Sequence, residues 1–257
     1  MSSPGELKAL VEEYLEGLSF WHELDGQTES MRYALVEMGG KRVRPVISLA
    51  VGEALGAPPE RVLPAGAAVE LVHNFSLVHD DLPALDDDRE RRGKPSVWAA
   101  FGEGKALLAG DALLVEAFRL ALSYPTPDVA RELAEATLGM IGGQYLDTMV
   151  ADADLRTVHQ LKTGCLFSAA VTVALWAAGL PAGEQDPWRA FASELGLLFQ
   201  AVDDILDADG YALTEGADGA RRIADEAAMC ARERLDAIPA ETAVLAEIVD
   251  SLAARTS

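Results

Sequence analysis

Residues Leu77–Pro95 read LVHDDLPALDDDRERRGKP, and the rest of the chain is organised around them. An apolar helical run delivers Asp80 and Asp81, Pro83 interrupts it, and Asp86, Asp87 and Asp88 come next, with Arg89, Arg91 and Arg92 just behind. Carboxylates this crowded repel one another, so they form either a solvated acidic loop or the ligand set of a polyvalent cation. Asp86 lies six positions after Asp80, which is not same-face helical spacing. Pro83 ends or bends the helix and lets Asp86 swing back from the turn after it.

A second acidic group, FQAVDDILDAD at 199–209, weighs toward the cation. Asp203 and Asp207 share one helix face, and Asp204, about 100° round the axis, can reach the same ion from the side. Oxygen-only donors suit hard cations, and Mg2+ takes one or two carboxylates while phosphate oxygens and water complete its shell. The missing oxygens are therefore expected from a phosphorylated substrate.

The 257 residues are 50% apolar, enough for one large core, and a single domain is expected. A net charge of -21 excludes the broad basic surface that nucleic acid or an anionic membrane requires, so the few basic clusters become informative. Cys165 and Cys230 have neither metal-type spacing nor the number for a disulfide framework, and a reducing cytoplasm is the simplest setting. The N-terminus carries acids where a signal peptide has positive charge. The longest apolar run, Cys165–Leu180, is interrupted by Ser168 and Thr172 and ends at Pro181, short of the roughly 20 residues of a membrane span. No membrane insertion is expected.

Apolar residues recur every three to four positions over 6–19, from Thr28 to the glycines, and over 45–55, 64–78, 107–123 and 129–149. The pattern resumes at 165–180, from Asp186 into the second acidic group, and at about 217–237 and 241–254. No strand alternation persists, so the class is all-α. GGKRVRP at 39–45 is either a basic loop with Pro45 opening the next helix, or a site where Lys41, Arg42, Arg44 and backbone amides surround an anion. His73 and Phe75 are core residues by default, yet lie within two turns of Asp80. Gln144 and Asp147 sit one turn apart beside Gly142 and Gly143, and Lys162 precedes the buried run as a solvated flank or as a cation for a diphosphate.

In this order the motifs resemble the trans-isoprenyl diphosphate synthases, or polyprenyl synthetases, which include farnesyl and geranylgeranyl diphosphate synthases. GGKRVRP resembles the family's basic motif, HDDLPALDDDRERRGKP its first aspartate-rich motif in the bacterial form, and FQAVDDILD its second. FGE at 101–103, AGD at 109–111, GGQYLD and KTG fall in the family's sequence, and the resemblance runs from Met31 to about Asp209. It implies a single-domain bundle of antiparallel helices around a central cavity, usually a homodimer, with the two acidic groups facing each other across the mouth. It further implies that Asp80, Asp81, Asp86, Asp203, Asp204 and Asp207 hold three Mg2+ ions, replaceable by Mn2+. Arg91, Lys162, Thr163 and Gln200 would bind an allylic diphosphate, and Lys41, Arg44, His73 and Arg92 isopentenyl diphosphate. Phe75, five positions before Asp80, resembles the bulky tunnel floor of short-chain members, which sets the expected product at C15 with C20 next.

The sequence departs from the family in two places. Trp98 stands where members usually carry a histidine, and the lysine-bearing loop expected after Asp209 is missing: no lysine occurs beyond Lys162. Arg221 and Arg222, the first cations beyond the gap, are the candidates to close the site in its place. Two alternatives are a catalytically impaired partner subunit, which the lost loop favours, and a terpene cyclase, which would need neither GGKRVRP nor the second arginine of RRG.

Overall fold

In the computed structural model, which describes residues 2–256, the three-to-four periodicity is realised as helices almost throughout. A reciprocal Ser3–Glu6 capping box opens α1 (Pro4–Glu16). Next, α2 (Thr28–Arg32) runs into a π-helical turn at Tyr33–Glu37, and α3 (Val43–Ala54) and α4 (Pro59–Asp80) come after it. A two-residue hairpin, β1 (Glu90–Arg91) and β2 (Lys94–Pro95), precedes α5 (Val97–Phe101), α6 (Glu103–Ala121) and α7 (Asp128–Met149). α8 (Leu155–His159), a π turn at Gln160–Gly164 and α9 (Cys165–Ala178) form one continuous rod, and α10 (Asp186–Asp207), α11 (Tyr211–Thr214), α12 (Gly216–Asp236) and α13 (Ala243–Ala253) complete the chain. The fold is all-α, as expected, with the short hairpin as its exception.

Some starts lie earlier than periodicity places them. α4 begins at Pro59 rather than at residue 64, because a proline at N1 surrenders no hydrogen bond. Pro45 sits inside α3 rather than opening it. The rod corrects a second expectation: Leu155–Ala178 is 24 residues long and, by length and composition, apolar enough to cross a membrane. Its α9 portion is buried on nearly every side against α3, α4, α7 and α10, so it is the central helix of the bundle.

Packing around this rod depends on small residues. A Cβ on Gly143 would lie 2.2 Å from the Lys162 backbone nitrogen, so α7 can abut the π turn only with glycine there. Ser48 of α3 donates to the Ala170 carbonyl of α9 at 2.7 Å.

The basic motif is anchored from within. Arg42 adopts a left-handed conformation (φ 55°) and is 2% exposed. Its guanidinium donates to Glu70 Oε1 at 2.9 Å, to Glu12 Oε1 at 3.1 Å and to the Leu35 carbonyl. Three segments (α1, the middle of the first π turn, and α4) are thus tied to one cation. Removing Glu70 leaves the buried Arg42 with only the part-exposed Glu12 as counter-charge, a loss of up to about 3–5 kcal/mol, as is typical of breaking a buried pair. Glu70→Met is accordingly expected to lower unfolding stability in urea by about that amount, and Arg42→Met combined with Glu70→Met to recover a substantial part of it.

Candidate active site

A cavity of about 780 Å³ opens between α3, α4, α7, the second π turn and α10. Its lining brings together the carboxylates Asp80 and Asp203 with Lys162, the basic group Lys41, Arg44, His73 and Arg92, and the buried apolar side chains Phe75, Met140 and Leu166. Thr163 and Gln144 also line it. Eleven of the residues singled out from sequence therefore meet at one space: Lys41, Arg42, Arg44, His73, Phe75, Asp80, Arg92, Gln144, Lys162, Thr163 and Asp203.

The acidic groups divide in a way the spacing does not show. α4 ends at Asp80, and the chain turns back so that the Asp86 amide donates to the Asp80 carbonyl at 2.9 Å, with Asp87 left-handed at φ 52°. Asp80 and Asp86 are thereby paired, as Pro83 suggested. Asp81 goes elsewhere: it is buried and accepts two hydrogen bonds from Arg91 Nε at 2.8 and 2.9 Å. On α10, Asp203 faces the cavity and Asp207 is exposed near the mouth. Asp204 turns inward, accepting from Gln200 Nε2 at 2.6 Å and from the Tyr211 amide at 2.8 Å. In this arrangement Asp81 is held by Arg91, and Asp204 by Gln200 and the Tyr211 amide, so neither carboxylate lines the cavity as Asp80 and Asp203 do. Asp81 positions Arg91, and the Gln200–Asp204 pair fixes the short connection into α11 because the 100° step from Asp203 points away from the cavity. Among the described residues no three carboxylate, histidine or cysteine side chains converge on one point. Two pairs of carboxylates lie close enough to repel each other, Asp80 with Asp86 and Asp203 with Asp207.

The hairpin separates the two arginines. Arg92 (φ 55°) and Gly93 (φ 75°) form a two-residue turn with both backbones left-handed, the twist a tight hairpin favours. Arg91 points to Asp81, whereas Arg92 donates to the Gly39 carbonyl and lines the cavity beside His73. Lys94 donates to the Glu37 carbonyl and Tyr33 to the Pro95 carbonyl, which clamps the hairpin onto the first π turn. Trp98 has a defined role in this clamp: its indole donates to the Asp88 carbonyl at 2.8 Å and its ring lies under Arg89 at 4.9 Å. Only the tertiary pairing reveals that function.

Charge is poised asymmetrically. Burial, with Asp86 adding repulsion against the pull of Lys162, raises the Asp80 carboxyl to about 6. Burial likewise raises Asp203, with Asp207 adding to the shift and Lys41 and Arg44 opposing it. On the basic wall, desolvation brings Arg44 down to about 10, still cationic at neutral pH, and holds His73 well below the ordinary imidazole range, reinforced by Arg44 and Arg92. Arg44 stacks on Phe167 at 4.4 Å, and its Nε is buried without a hydrogen-bond partner. Lys162 pairs with Asp147 at the mouth. Arg221 and Arg222 are exposed on α12 and do not line the cavity.

The polyprenyl synthetase family profile matches residues 27–249. Farnesyl diphosphate synthase of Bacillus subtilis is 41% identical over 72% of this chain and 68% of its own length, and that of Escherichia coli 40% identical over 84% and 79%. The chain spans about half, 53%, of the heterodimeric geranylgeranyl pyrophosphate synthase large subunit 1 of Arabidopsis thaliana, at 43% identity over 70% of this chain. Among solved structures, a geranyltransferase from Legionella pneumophila superposes with a TM-score of 0.89 at 31% identity, covering 98% of this chain and 96% of that one.

The raised Asp80 carboxyl sets a pH dependence. Its folded pKa, about 6, lies above the ordinary 3.8, so the folded protein keeps this proton longer than the unfolded chain does. This group's contribution to stability therefore falls as pH rises from 3.8 through about 6, then levels off. In metal-free buffer Asp80→Asn is expected to be more stable than the parent by on the order of 2 kcal/mol at neutral pH, with the gap closing toward about pH 4 in urea titrations.

Proposed function

The chain belongs to the polyprenyl synthetase family, and on that premise we propose that it condenses isopentenyl diphosphate with an allylic diphosphate, dimethylallyl or geranyl. The product is a short trans-prenyl diphosphate, C15 by preference and C20 as the alternative. The observation that carries this reading is the single cavity whose lining joins carboxylates, cations and buried apolar side chains. A substrate with a diphosphate head and a hydrocarbon tail matches that combination of charged and apolar lining.

Asp80 with Asp86, and Asp203 with Asp207, are the residues that would hold Mg2+, in a complement of three ions by family resemblance. They fit such a cation: all donors are oxygens, each pair offers two carboxylates, and burial already penalises the charge of Asp80 and Asp203, a penalty that a cation offsets. Bound Mg2+ supplies electrophilic stabilisation of the leaving diphosphate. Around it, Lys162 and Arg91 attract the allylic diphosphate, and Asp81 keeps Arg91 oriented as a planar fork. Lys41, Arg44 and Arg92 receive the isopentenyl diphosphate, for which the unpartnered Arg44 Nε is a ready donor. A neutral His73 adds a hydrogen bond without adding to the crowded positive charge. The allylic C–O bond ionises, the isopentenyl double bond attacks the cation, and proton loss leaves a diphosphate longer by one isoprene unit. The apolar depth excludes water from that cation and Phe75 limits its tail.

A homodimer accords with the outer surface. Leu108, Val115 and Leu122 of the α6 region, and Leu138, Ile141, Tyr145 and Met149 of α7, form an exposed apolar face, with Val115 66% and Leu138 70% exposed. Ile141, Tyr145 and Met149 also line the cavity, so a second copy seated there would complete its wall.

Two measurements test these readings. Purified protein incubated with Mg2+, isopentenyl diphosphate and each of dimethylallyl, geranyl and farnesyl diphosphate is expected to elongate the first two and to stop at C15. Mg2+-dependent binding without elongation would instead favour the impaired-partner reading. Light scattering is expected to give a dimer for the parent, and Val115→Glu with Leu138→Glu a monomer.

A further inference from the structure

Phe75 and His79 stand one turn apart on α4, and both line the cavity. Their rings meet edge to face, with centroids 4.9 Å apart and planes at 73°. The His79 ring is itself held. Its Nε2 lies 3.0 Å from the Leu107 carbonyl oxygen of α6, whereas the nearest carboxylate oxygen, Asp111 Oδ1, stands 3.8 Å away, beyond hydrogen-bond reach. A carbonyl only accepts, so Nε2 carries the proton and donates it, which fixes both tautomer and ring plane. The slot for the ring is made by Gly110, one turn further along α6: a Cβ there would fall 2.2 Å from His79 Nε2 and 2.3 Å from Cδ2.

A phenyl ring beside a cavity has more than one staggered orientation, and a growing hydrocarbon tail would press it aside unless something rigid lay behind it. The α6 backbone supplies that rigidity through His79. We propose that His79 is a second specificity-determining residue, bracing the Phe75 ring against α6 and so setting the depth at which prenyl growth stops. This rests on the reading of Phe75 as the floor. Chain length is then a property of three residues on two helices, Phe75, His79 and Gly110, rather than of one ring.

Product chain length from isopentenyl and geranyl diphosphates, measured for the parent, Phe75→Ala, His79→Ala, His79→Phe and Gly110→Ala, tests it, with thermal melts to verify folding. Phe75→Ala and His79→Ala are both expected to shift the main product at least one isoprene unit beyond the parent's. His79→Phe, which keeps a ring in place, is expected to hold the parental length. Gly110→Ala leaves both rings in the sequence but fills the slot, and is expected to lengthen the product as well. If Phe75→Ala lengthens the product while folded His79→Ala and Gly110→Ala do not, the brace is refuted and the floor stands. If Phe75→Ala itself keeps the parental length, the floor reading falls and takes the brace with it. Should His79→Ala fail to fold, Gly110→Ala and His79→Asn decide by the same measure.

Discussion

Acids and bases facing one another across a cavity collapse into ion pairs unless backbone geometry keeps them apart. Every part of this bundle bears on that constraint. Some acids and bases do pair, Arg42 with Glu70 inside the frame, and Arg91 with Asp81 and Lys162 with Asp147 beside the cavity. Where the cavity needs unspent charge, the partners are withheld, and the cost is visible in carboxyls driven upward and an arginine driven downward in pKa. Placing Asp80 and Asp203 at the ends of long helices and Arg44 near the start of another makes this separation rigid.

Much of this was legible in the sequence, because helical periodicity is local and the acidic and basic motifs are contiguous. The helices and the return of Asp86 stem from short-range rules, whereas the gathering of Lys41, Arg44, His73, Arg92 and Lys162 at one cavity was implied by the family resemblance. Asp81 and Asp204 were less transparent, since each is adjacent to a cavity-facing aspartate and chemically identical to it. What separates them is a partner ten residues away across a hairpin for Asp81, and a backbone amide seven residues on for Asp204. Trp98 and Glu70 escaped for the same reason: a donor to a distant carbonyl and a buried partner to Arg42 leave no mark on spacing.

The two π turns occur where cations are delivered. Tyr33–Glu37 precedes the glycines of the basic motif, and Gln160–Gly164 contains Lys162 and Thr163. Each extra residue in a turn rotates the helix beyond it and opens a local bulge, a distortion often found at functional positions. The second bulge is accommodated by glycine on the facing helix, at Gly143. Periodicity of apolar residues carries no trace of such bulges, because the buried face resumes on either side.

The hairpin at Glu90–Pro95 has a consequence for how the protein can change over generations. Arg91 is the last residue of β1 and Arg92 the first of the turn, so the two arginines owe their different destinations to where the turn begins. A substitution in this segment alters one contact. A single-residue insertion or deletion within β1 would carry one arginine into the other's place, either stranding Asp81 or removing the cation beside His73. Length, more than identity, is what drift is least free to alter here.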